Sequence, residues 1–342
     1  MRGAANRLRG FAVELSKFGA ARAVILMYHR IADAERDPWG LAVSPRNFAE
    51  QLAVLRDCGT PLTLPALAAA HERGTIPRRA IVVTFDDGYA DNLHAAKPLL
   101  ERHDVPATVF VTTGHTGTQD EFWWDELERL LLAPVTLPAM LYLAIGGRAR
   151  HWDLGGAATY GDDERRRDVG RRARDGAPGS RPAFYYAVWS ALLPVGDDER
   201  RALLAAIASW AAGGPPRASH RALRADEIVE LARGGLVDVG AHTVTHPLFP
   251  AHPPAVQRDE LVASKSALEE IVGRPVTTFA YPYGESSADS PALVRSAGFV
   301  CACSVRAEAV WKRSDRYRLP RFGVEDWSGD ELARRLDEWL TS

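Results

Sequence analysis

Short runs of apolar residues alternate along the chain with stretches in which apolar positions recur every three or four residues. The runs are rich in β-branched residues and lack a regular polar–apolar alternation, which predicts strands that are covered on both faces. Because helical patterns separate these runs, we expect an α/β fold built around a parallel sheet or barrel. The predicted strands are residues 23–29, 80–85, 107–113, 235–243, 276–282 and 300–305.

The helical stretches carry start and stop signals. In residues 44–59 a serine precedes a proline at the first helical position, and the pattern stops at a glycine, as expected for a capped helix. Asp91 and Asn92 are expected to cap a helix that follows the second strand. Further helices are predicted at residues 92–103, 254–273, 290–299 and 330–340.

One long segment, residues 115–225, interrupts the alternation of strands and helices. It opens with the helical pattern FWWDELERLLL and continues in helix-like stretches without a strand pattern. We therefore predict a helical insertion within a single α/β domain that spans residues 22–342. Residues 161–182 are charged and glycine-rich, and we expect a mobile loop there because they offer little apolar surface to bury.

The first residues, 1–21, form a separate amphipathic helix pattern. Leu8, Phe11, Leu15 and Phe18 share one face. Such a helix docks either on the body of the protein or peripherally on a membrane surface, and the pattern favours the protein body. Charges interrupt the segment before the apolar region of a signal peptide accumulates, and no run approaches the roughly 18 apolar residues of a membrane span. A cytoplasmic location is therefore expected.

Composition narrows the class of partner. The 342 residues carry a formal net charge of −2, so no overall basic field points to nucleic acid. Cys58, Cys301 and Cys303 form no CxxC pair, and such a sparse, odd set fits a reducing compartment better than a disulfide framework. The sequence gives no signal for a protein partner.

Candidate chemistry lies at the ends of two predicted strands. In TFDDG, Asp86 and Asp87 follow an apolar run, and Gly88 allows a sharp turn. In GAHTVTH, His242 and His246 follow another strand, and their i, i+4 spacing puts both imidazoles on one side of a helical turn. Polar groups at the carboxyl ends of parallel strands converge, and adjacent carboxylates are costly without a cation. Two histidines and one carboxylate therefore predict a divalent-metal site with open positions, which favours catalysis over a structural role.

Three motifs in this order resemble those of the polysaccharide deacetylases that carry the NodB homology domain. They are TFDDG at 84–88, HTVTH at 242–246 and FAYPYG at 279–284, each at a strand end. The resemblance covers residues 22–113 and 226–325 and leaves the insertion unexplained. It implies a distorted barrel of about seven parallel strands.

The resemblance also implies a role for each matched residue. Asp86 is the general base, while Asp87, His242 and His246 bind the metal, usually zinc. The backbone N–H of Tyr283 stabilises the oxyanion. These roles are chemically coherent, because a metal ion makes water acidic enough for a carboxylate to accept its proton as the water attacks an amide carbonyl. The implied substrate is an N-acylated amino sugar, alone or in a glycan or glycoconjugate, which loses its N-acetyl or other N-acyl group.

The sequence departs from the family pattern at two places. The leaving amine needs a proton, but the usual late histidine of a Leu-x-His motif is absent, since no histidine follows His252. His29, which ends the first strand, is our candidate donor, because relatives with a rearranged strand order take the acid from such an early histidine. Ala280 replaces the arginine that normally holds the base. Arg321 is our candidate substitute, with Arg318 as its competitor and an ordinary surface arginine as the alternative.

Other interpretations stand beside the deacetylase. A non-catalytic sugar-binding relative with a vestigial site also accounts for the two departures. An iron-dependent oxygenase uses two histidines and one carboxylate, although such sites usually lie in antiparallel β-barrels. Hydrolysis of a cyclic amide is a further possibility, but relatives of that kind commonly lose the metal ligands that are retained here. Trp123 and Trp124 either stack on a sugar ring or, as their helical pattern favours, belong to the core.

Overall fold

Parallel strands form the framework of residues 22–341, the part of the chain that the structure, a computed structural model, describes. The strands of this part are β1 (Ala23–Tyr28), β2 (Arg30–Ile31), β3 (Ala42–Val43), β4 (Thr60–Pro61), β5 (Ala80–Phe85), β6 (Ala107–Val111), β7 (Met140–Ile145), β8 (Arg148–Asp153), β9 (Val237–Ala241), β10 (Thr278–Ala280), β11 (Cys301–Cys303) and β12 (Phe322–Gly323).

The main sheet runs through seven strands in the order β11-β10-β9-β6-β5-β1-β12, and the short β4 pairs with β5 beside this path. Every pairing within it is parallel. The sheet curls into a half-barrel. The predicted α/β fold with about seven parallel strands is confirmed.

Helices cover the sheet and occupy the connections between its strands. The predicted cap of the first helix is present, because the Ser44 hydroxyl accepts a hydrogen bond from the Asn47 N–H. A π-helical stretch, Asn92–Ala96, leads into the third helix. The α-helices of the described residues are α1 (Pro45–Cys58), α2 (Leu64–Arg73), α3 (Lys97–His103), α4 (Trp123–Leu132), α5 (Asp162–Asp168), α6 (Arg181–Leu192), α7 (Asp197–Ala211), α8 (Ala225–Ala232), α9 (Pro254–Val272), α10 (Ser290–Ser296) and α11 (Gly329–Thr341).

The central strands are buried on both faces, which explains their unbroken apolar sequences. Leu26 and Val83 belong to a cluster that includes Leu52 of α1. The alternate residues Ile25 and Val82 belong to a second cluster, which includes the free cysteines of β11. Side chains alternate between the two faces of a strand, so a strand without polar alternation needs such a cover on each side.

The insertion is not wholly helical, and the prediction that it lacks strands is wrong. β7 and β8 form a two-stranded antiparallel hairpin in which Ile145 pairs with Arg148. Between them, Gly146 and Gly147 both have positive φ, 57° and 72°, as a two-residue type I′ turn requires. Burial alternates along β7, and the glycine pair that follows it is the sequence signal for the hairpin.

The charged stretch 161–182 is also more ordered in secondary structure than expected. It contains α5, whose first turn is closed by a hydrogen bond from the Gly161 N–H to the Glu164 carboxylate. The mobility of this stretch stays a prediction, as do the domain boundaries. The predicted amphipathic helix in residues 1–21 lies outside the described residues. Within residues 22–341, no helix has both the length and the apolar character that crossing a membrane requires.

One buried cation holds the insertion together. The guanidinium of Arg181, which is 1% exposed, donates to the carbonyl oxygens of Leu131, Ala157 and Ala158 at 2.6–2.9 Å. These carbonyls belong to the end of α4 and to the segment after the hairpin. Arg181 therefore satisfies buried backbone groups from two parts of the insertion at once.

We predict that Arg181→Met destabilises the protein, because it leaves several buried carbonyl groups without a donor. The expected loss is roughly 2–4 kcal/mol in the free energy of unfolding, measured by urea denaturation. Arg171→Met is the matched control, since Arg171 is exposed on the same insertion. Equal unfolding midpoints for the two variants would contradict this account of Arg181.

Candidate active site

The three sequence motifs meet at one rim of the sheet, where β5, β9 and β10 end. Asp86 and Asp87 directly follow β5, His242 directly follows β9, and Tyr283 lies three residues after β10. Because these strands are parallel, their carboxyl ends share a rim. The rim is continuous through β6, which lies between β5 and β9.

Arg321 holds the carboxylate of Asp86 with two hydrogen bonds. Its Nη1 and Nη2 donate to the two carboxylate oxygens, each at 2.7 Å, and its Nε donates to the carbonyl of Ser304 at 2.9 Å. Arg321 is fully buried. The competing Arg318 instead donates to the Ser286 hydroxyl. The structure thus brings Arg321 to the predicted base from the loop before β12, although its catalytic role stays a prediction.

Asp87, His242 and His246 converge on one buried point. The two histidine Nε2 atoms lie 3.1 Å apart. The Asp87 Oδ1 lies 3.5 Å from the Nε2 of His242 and 3.3 Å from that of His246. The set is the one metal-ligand cluster found among the described residues. Its members are those predicted from the sequence.

These donors fit a divalent metal ion. When the ligand atoms of a tetrahedral ion each lie about 2.0–2.2 Å from the metal, they lie about 3.3–3.6 Å from one another. The distances among the two Nε2 atoms and the Asp87 Oδ1 are close to this range. The Nδ1 of His242 lies 2.8 Å from the carbonyl of Ala280, so this nitrogen carries the proton and leaves the Nε2 lone pair free for a ligand bond.

The protonation states also suit metal binding. Burial raises the pKa of Asp86, but Arg321 and then His242 outweigh it and hold that pKa below its usual value. Burial likewise opposes ionisation of Asp87, yet the adjacent His242 and His246 keep its pKa well below the usual range. Burial lowers the pKa of His246 to about 4 against the opposing effect of Asp87. Near neutral pH the carboxylates are therefore ionised and His246 is neutral, as ligation requires.

The HTVTH segment is not the helical turn that its spacing suggested. Thr243 and His246 both have positive φ, 68° and 54°, and the Thr243 hydroxyl accepts the His246 N–H at 3.0 Å. The carboxylate of Glu260 in α9 accepts the N–H groups of Val244 and Thr245 at 2.7 and 3.0 Å. The imidazoles therefore converge through a loop held by Glu260, a residue that carries no local sequence signal for this role.

Left-handed backbone recurs at the motif residues. Asp87, His246 and Tyr283 have φ values of 71°, 54° and 58°, and such conformations cost on the order of 1–3 kcal/mol for residues other than glycine. Gly88 has φ 80°, and a Cβ there would lie 3.1 Å from a methyl group of Val111. The predicted need for glycine at the turn is thus borne out by the structure. The strained neighbours are further support for a functional site.

Aromatic residues of α4 brace His246. The ring of Trp124 lies 4.7 Å from that of His246, and its Nε1 donates to the Tyr89 hydroxyl at 2.8 Å. Tyr89 in turn donates to Asp125 at 2.6 Å. Burial raises the pKa of Asp125 to about 7, although Arg30 opposes the shift. Trp124 belongs to the core of the insertion, as its helical pattern favoured.

Tyr283 also lies against the metal-ligand cluster. Its ring is 4.5 Å from that of His246, and its hydroxyl accepts the Nε1–H of Trp123 at 3.0 Å. Trp123 is likewise a core residue. The use of the Tyr283 backbone N–H for an oxyanion stays a prediction.

His29 lies near the two aspartates. It directly follows Tyr28, whose carbonyl accepts the Asp86 N–H at 2.9 Å. The side chain of His29 is half-buried and close enough to lower the pKa of both Asp86 and Asp87 electrostatically. Its placement is consistent with a proton donor at the same rim, and the role itself stays a prediction.

Asp91 and Asn92, which follow TFDDG, bond to residues 29–31 after β1. The prediction that they cap a helix is wrong. Asp91 makes no side-chain capping bond. It accepts instead from the Arg30 Nε at 3.0 Å and from the Ile31 N–H at 3.1 Å. The Asn92 side-chain amide donates to the carbonyl of His29 at 2.8 Å. Asp91 and Asn92 thus connect the segments after β1 and β5.

Comparison with known proteins identifies the motifs as those of a family. A family model described as "Polysaccharide deacetylase" matches residues 73–139 and 199–302, which together make up half of the chain. The unmatched stretch between them lies within the insertion.

Curated relatives match a smaller part of the chain. The poly-beta-1,6-N-acetyl-D-glucosamine N-deacetylase of Staphylococcus aureus is 27% identical over 117 residues, which cover 30% of this chain and 40% of that protein. The match therefore spans less than half the length of the relative.

Solved structures share the fold over nearly the whole chain. The deacetylase PplD of Streptococcus pyogenes aligns with a TM-score of 0.58 at 17% identity, covering 93% of this chain and 99% of that one. IcaB of Ammonifex degensii aligns with a TM-score of 0.57 at 19% identity, covering 95% and 99%. At these identities the likeness concerns the fold.

We predict that Asp87→Ala and His242→Ala each lower the bound divalent metal to about one-tenth or less of the wild-type content, because each removes a ligand from a small buried set. The metal content of protein purified without chelators, measured by elemental mass spectrometry, checks this. Asp120→Ala, which removes an exposed carboxylate before α4, should leave the metal content unchanged. Stoichiometric metal in Asp87→Ala would contradict the assignment.

Proposed function

The chain belongs to the polysaccharide deacetylase family, and on that premise we propose that it is a metal-dependent hydrolase that removes an N-acetyl, or other N-acyl, group from an amino sugar. One observation carries the proposal, namely that an ionised carboxylate held by Arg321 lies beside a buried Asp-His-His cluster. A base next to a Lewis acid is the arrangement that amide hydrolysis by water needs.

We propose zinc as the ion. Two imidazoles and one carboxylate form a donor set that suits zinc in catalytic sites, and Asp87, His242 and His246 would hold it. A bound zinc ion supplies Lewis acidity, which makes water more acidic and polarises a carbonyl.

The residues of the chain then divide the remaining work. Asp86 accepts the proton of the attacking water, and each of its oxygens keeps a lone pair beyond the bond to Arg321. Arg321 keeps the carboxylate anionic and oriented. The Tyr283 N–H donates to the developing oxyanion. His29 gives the leaving amine its proton, so that an uncharged amine departs rather than an amide anion.

The substrate class rests on the family and on the matched relative. The Staphylococcus aureus protein is named as a deacetylase of poly-beta-1,6-N-acetyl-D-glucosamine, which supports an N-acetylated amino sugar for this chain. The alternative of a sugar-binding relative is weakened, because one of the two departures that suggested it is compensated by the contact of Arg321 with Asp86. The oxygenase alternative is weakened by the parallel α/β sheet.

The direct test is amine release by the metal-loaded protein from N-acetylglucosamine, its oligomers and nucleotide-linked forms. We expect release that is abolished by a chelator and restored by zinc. Bound iron with oxygen uptake would contradict a hydrolase, and tight binding of sugar without amine release would instead support the binding protein.

We predict that Asp86→Asn retains the metal and loses activity by about 10²–10⁴-fold, since it removes the base without removing a ligand.

Arg321→Lys should also retain the metal but lower kcat, because lysine keeps the charge and loses the bidentate hydrogen bonds to the carboxylate. Steady-state kinetics and metal analysis check both. Arg318→Lys is the control, and a loss of activity there equal to that of Arg321→Lys would overturn the role of Arg321.

For His29, we predict that His29→Gln lowers kcat by about 10²-fold or more while the metal content stays unchanged, because the leaving amine lacks its proton donor. Added imidazole should restore part of the activity of His29→Gly, which leaves the space of the ring empty. His103→Gln, at the end of α3, should behave as wild type. Full activity of His29→Gln would show that another group protonates the amine.

A further inference from the structure

The two histidines of the metal-ligand cluster are held in different ways. The Nδ1 of His242 lies 2.8 Å from the carbonyl of Ala280, so a hydrogen bond fixes the orientation of this ring. The Nδ1 of His246 is buried as well, but it has no hydrogen-bond partner within residues 22–341. A histidine that binds a metal usually donates its second ring nitrogen to a carboxylate or a carbonyl, which fixes the tautomer and the ring. The orientation of His246 therefore needs another source.

Two aromatic rings pack against the imidazole of His246. The ring of Trp124 lies 4.7 Å from it at an interplanar angle of 54°, and the ring of Tyr283 lies 4.5 Å from it at 73°. Both contacts have the separation and the tilt that aromatic pairs favour. Rings in these positions restrict the rotation of the imidazole about the bond to its Cβ.

Hydrogen bonds fix these two rings in turn, and both involve the start of α4. The Nε1–H of Trp124 donates to the Tyr89 hydroxyl at 2.8 Å, and the Nε1–H of Trp123 donates to the Tyr283 hydroxyl at 3.0 Å. Trp123 and Trp124 are 5% and 4% exposed. Adjacent residues of a helix point in different directions, so one tryptophan contacts His246 directly while the other reaches Tyr283.

A second helix of the insertion supports the backbone next to His246. Arg200 of α7 is 2% exposed, and its Nη2 donates to the carbonyl of Thr245 at 3.0 Å. Its guanidinium also lies over the ring of Trp123, 5.2 Å from the ring centroid, at the distance of a cation–π contact. The insertion thus contacts the segment of His246 through α7 as well as through α4.

We propose that Trp123 and Trp124 are positioning residues for His246, and that the insertion, through them, sets the affinity of the site for its metal ion. Aromatic packing does for His246 what a hydrogen bond does for His242. A side chain that is already oriented loses less conformational freedom when it binds, so the ion is held more tightly. The proposal rests on the metal site of the proposed function, but it concerns metal binding and not the reaction.

The test measures the zinc Kd of the full chain by competition with a chelator of known affinity. Trp124→Ala should raise this Kd about 10- to 100-fold, the range typical for the loss of a residue that orients a ligand. Trp124→Phe keeps a ring beside His246 and loses the bond to Tyr89, so it should raise the Kd by a smaller factor. Trp210→Phe is the matched control, because Trp210 of α7 also donates its Nε1–H within the insertion, to the carbonyl of Met140 at 2.7 Å. It should leave the Kd unchanged.

The contact between Trp123 and Tyr283 can be tested from both ends. Trp123→Phe removes the donor of their hydrogen bond and Tyr283→Phe removes its acceptor, and both substitutions keep a ring in place. Each should raise the zinc Kd several-fold. The double variant should raise it no further than the larger of the two single effects, because both residues act through one bond.

Urea denaturation of the metal-free variants separates positioning from a purely structural role. Lower unfolding midpoints with an unchanged zinc Kd would show that the two tryptophans only pack the insertion, and would overturn the proposal. If Trp124→Ala does not fold, the phenylalanine variants decide the question, and a wild-type Kd in all of them would also overturn it. Wild-type protein that binds zinc but releases no amine would instead overturn the hydrolase alone.

Discussion

The buried ion pair between Asp86 and Arg321 is the interaction on which the arrangement of the site depends. A carboxylate that is almost completely removed from water is costly unless a partner neutralises it and satisfies its oxygens. Arg321 does both, because it bonds to each oxygen of Asp86. Asp87 next to it is equally buried but has no arginine. Its negative charge faces two imidazoles instead, and this difference between adjacent carboxylates distinguishes the predicted base from the predicted metal ligand.

The same pair explains why the chain tolerates Ala280 in its third motif. The arginine of the family pattern is missing there, and Ala280 contributes only its backbone carbonyl, which accepts a hydrogen bond from His242. Arg321 reaches Asp86 from the loop before β12, and the pairing of β12 with β1 keeps that loop beside the end of β5. The fold thus supplies the cation from a different strand end, since all the parallel strands share one rim.

Sequence reasoning could predict what depends on local pattern and on the geometry of parallel sheets. Unbroken apolar runs indicated the strands, and the strand ends indicated the convergence of Asp86, Asp87, His242 and His246.

Sequence reasoning failed where distant contacts decide local conformation. The histidine loop departs from a helical turn because Glu260 and Thr243 satisfy its N–H groups, and Asp91 bonds to the segment after β1 rather than to its own helix. The contact of Asp86 with Arg321 joins residues 235 positions apart, so a sequence could only suggest it by elimination. The hairpin is different, because its glycine pair is a local signal that stands within a segment of mainly helical composition.

The division between core and insertion has a consequence for specificity. The predicted base, the predicted metal ligands and His29 all follow strands of the parallel sheet, so none of these residues belongs to the insertion. The insertion nevertheless contacts this region at two points. Trp124 packs on His246, and Trp39, which lines a cavity together with His29, donates to the Tyr185 hydroxyl of α6. A segment that contacts both His246 and the chain beside His29 can change which substrate fits without changing the reaction. Substrate choice is therefore better sought in residues outside the shared motifs, such as Trp39, than in the motifs themselves.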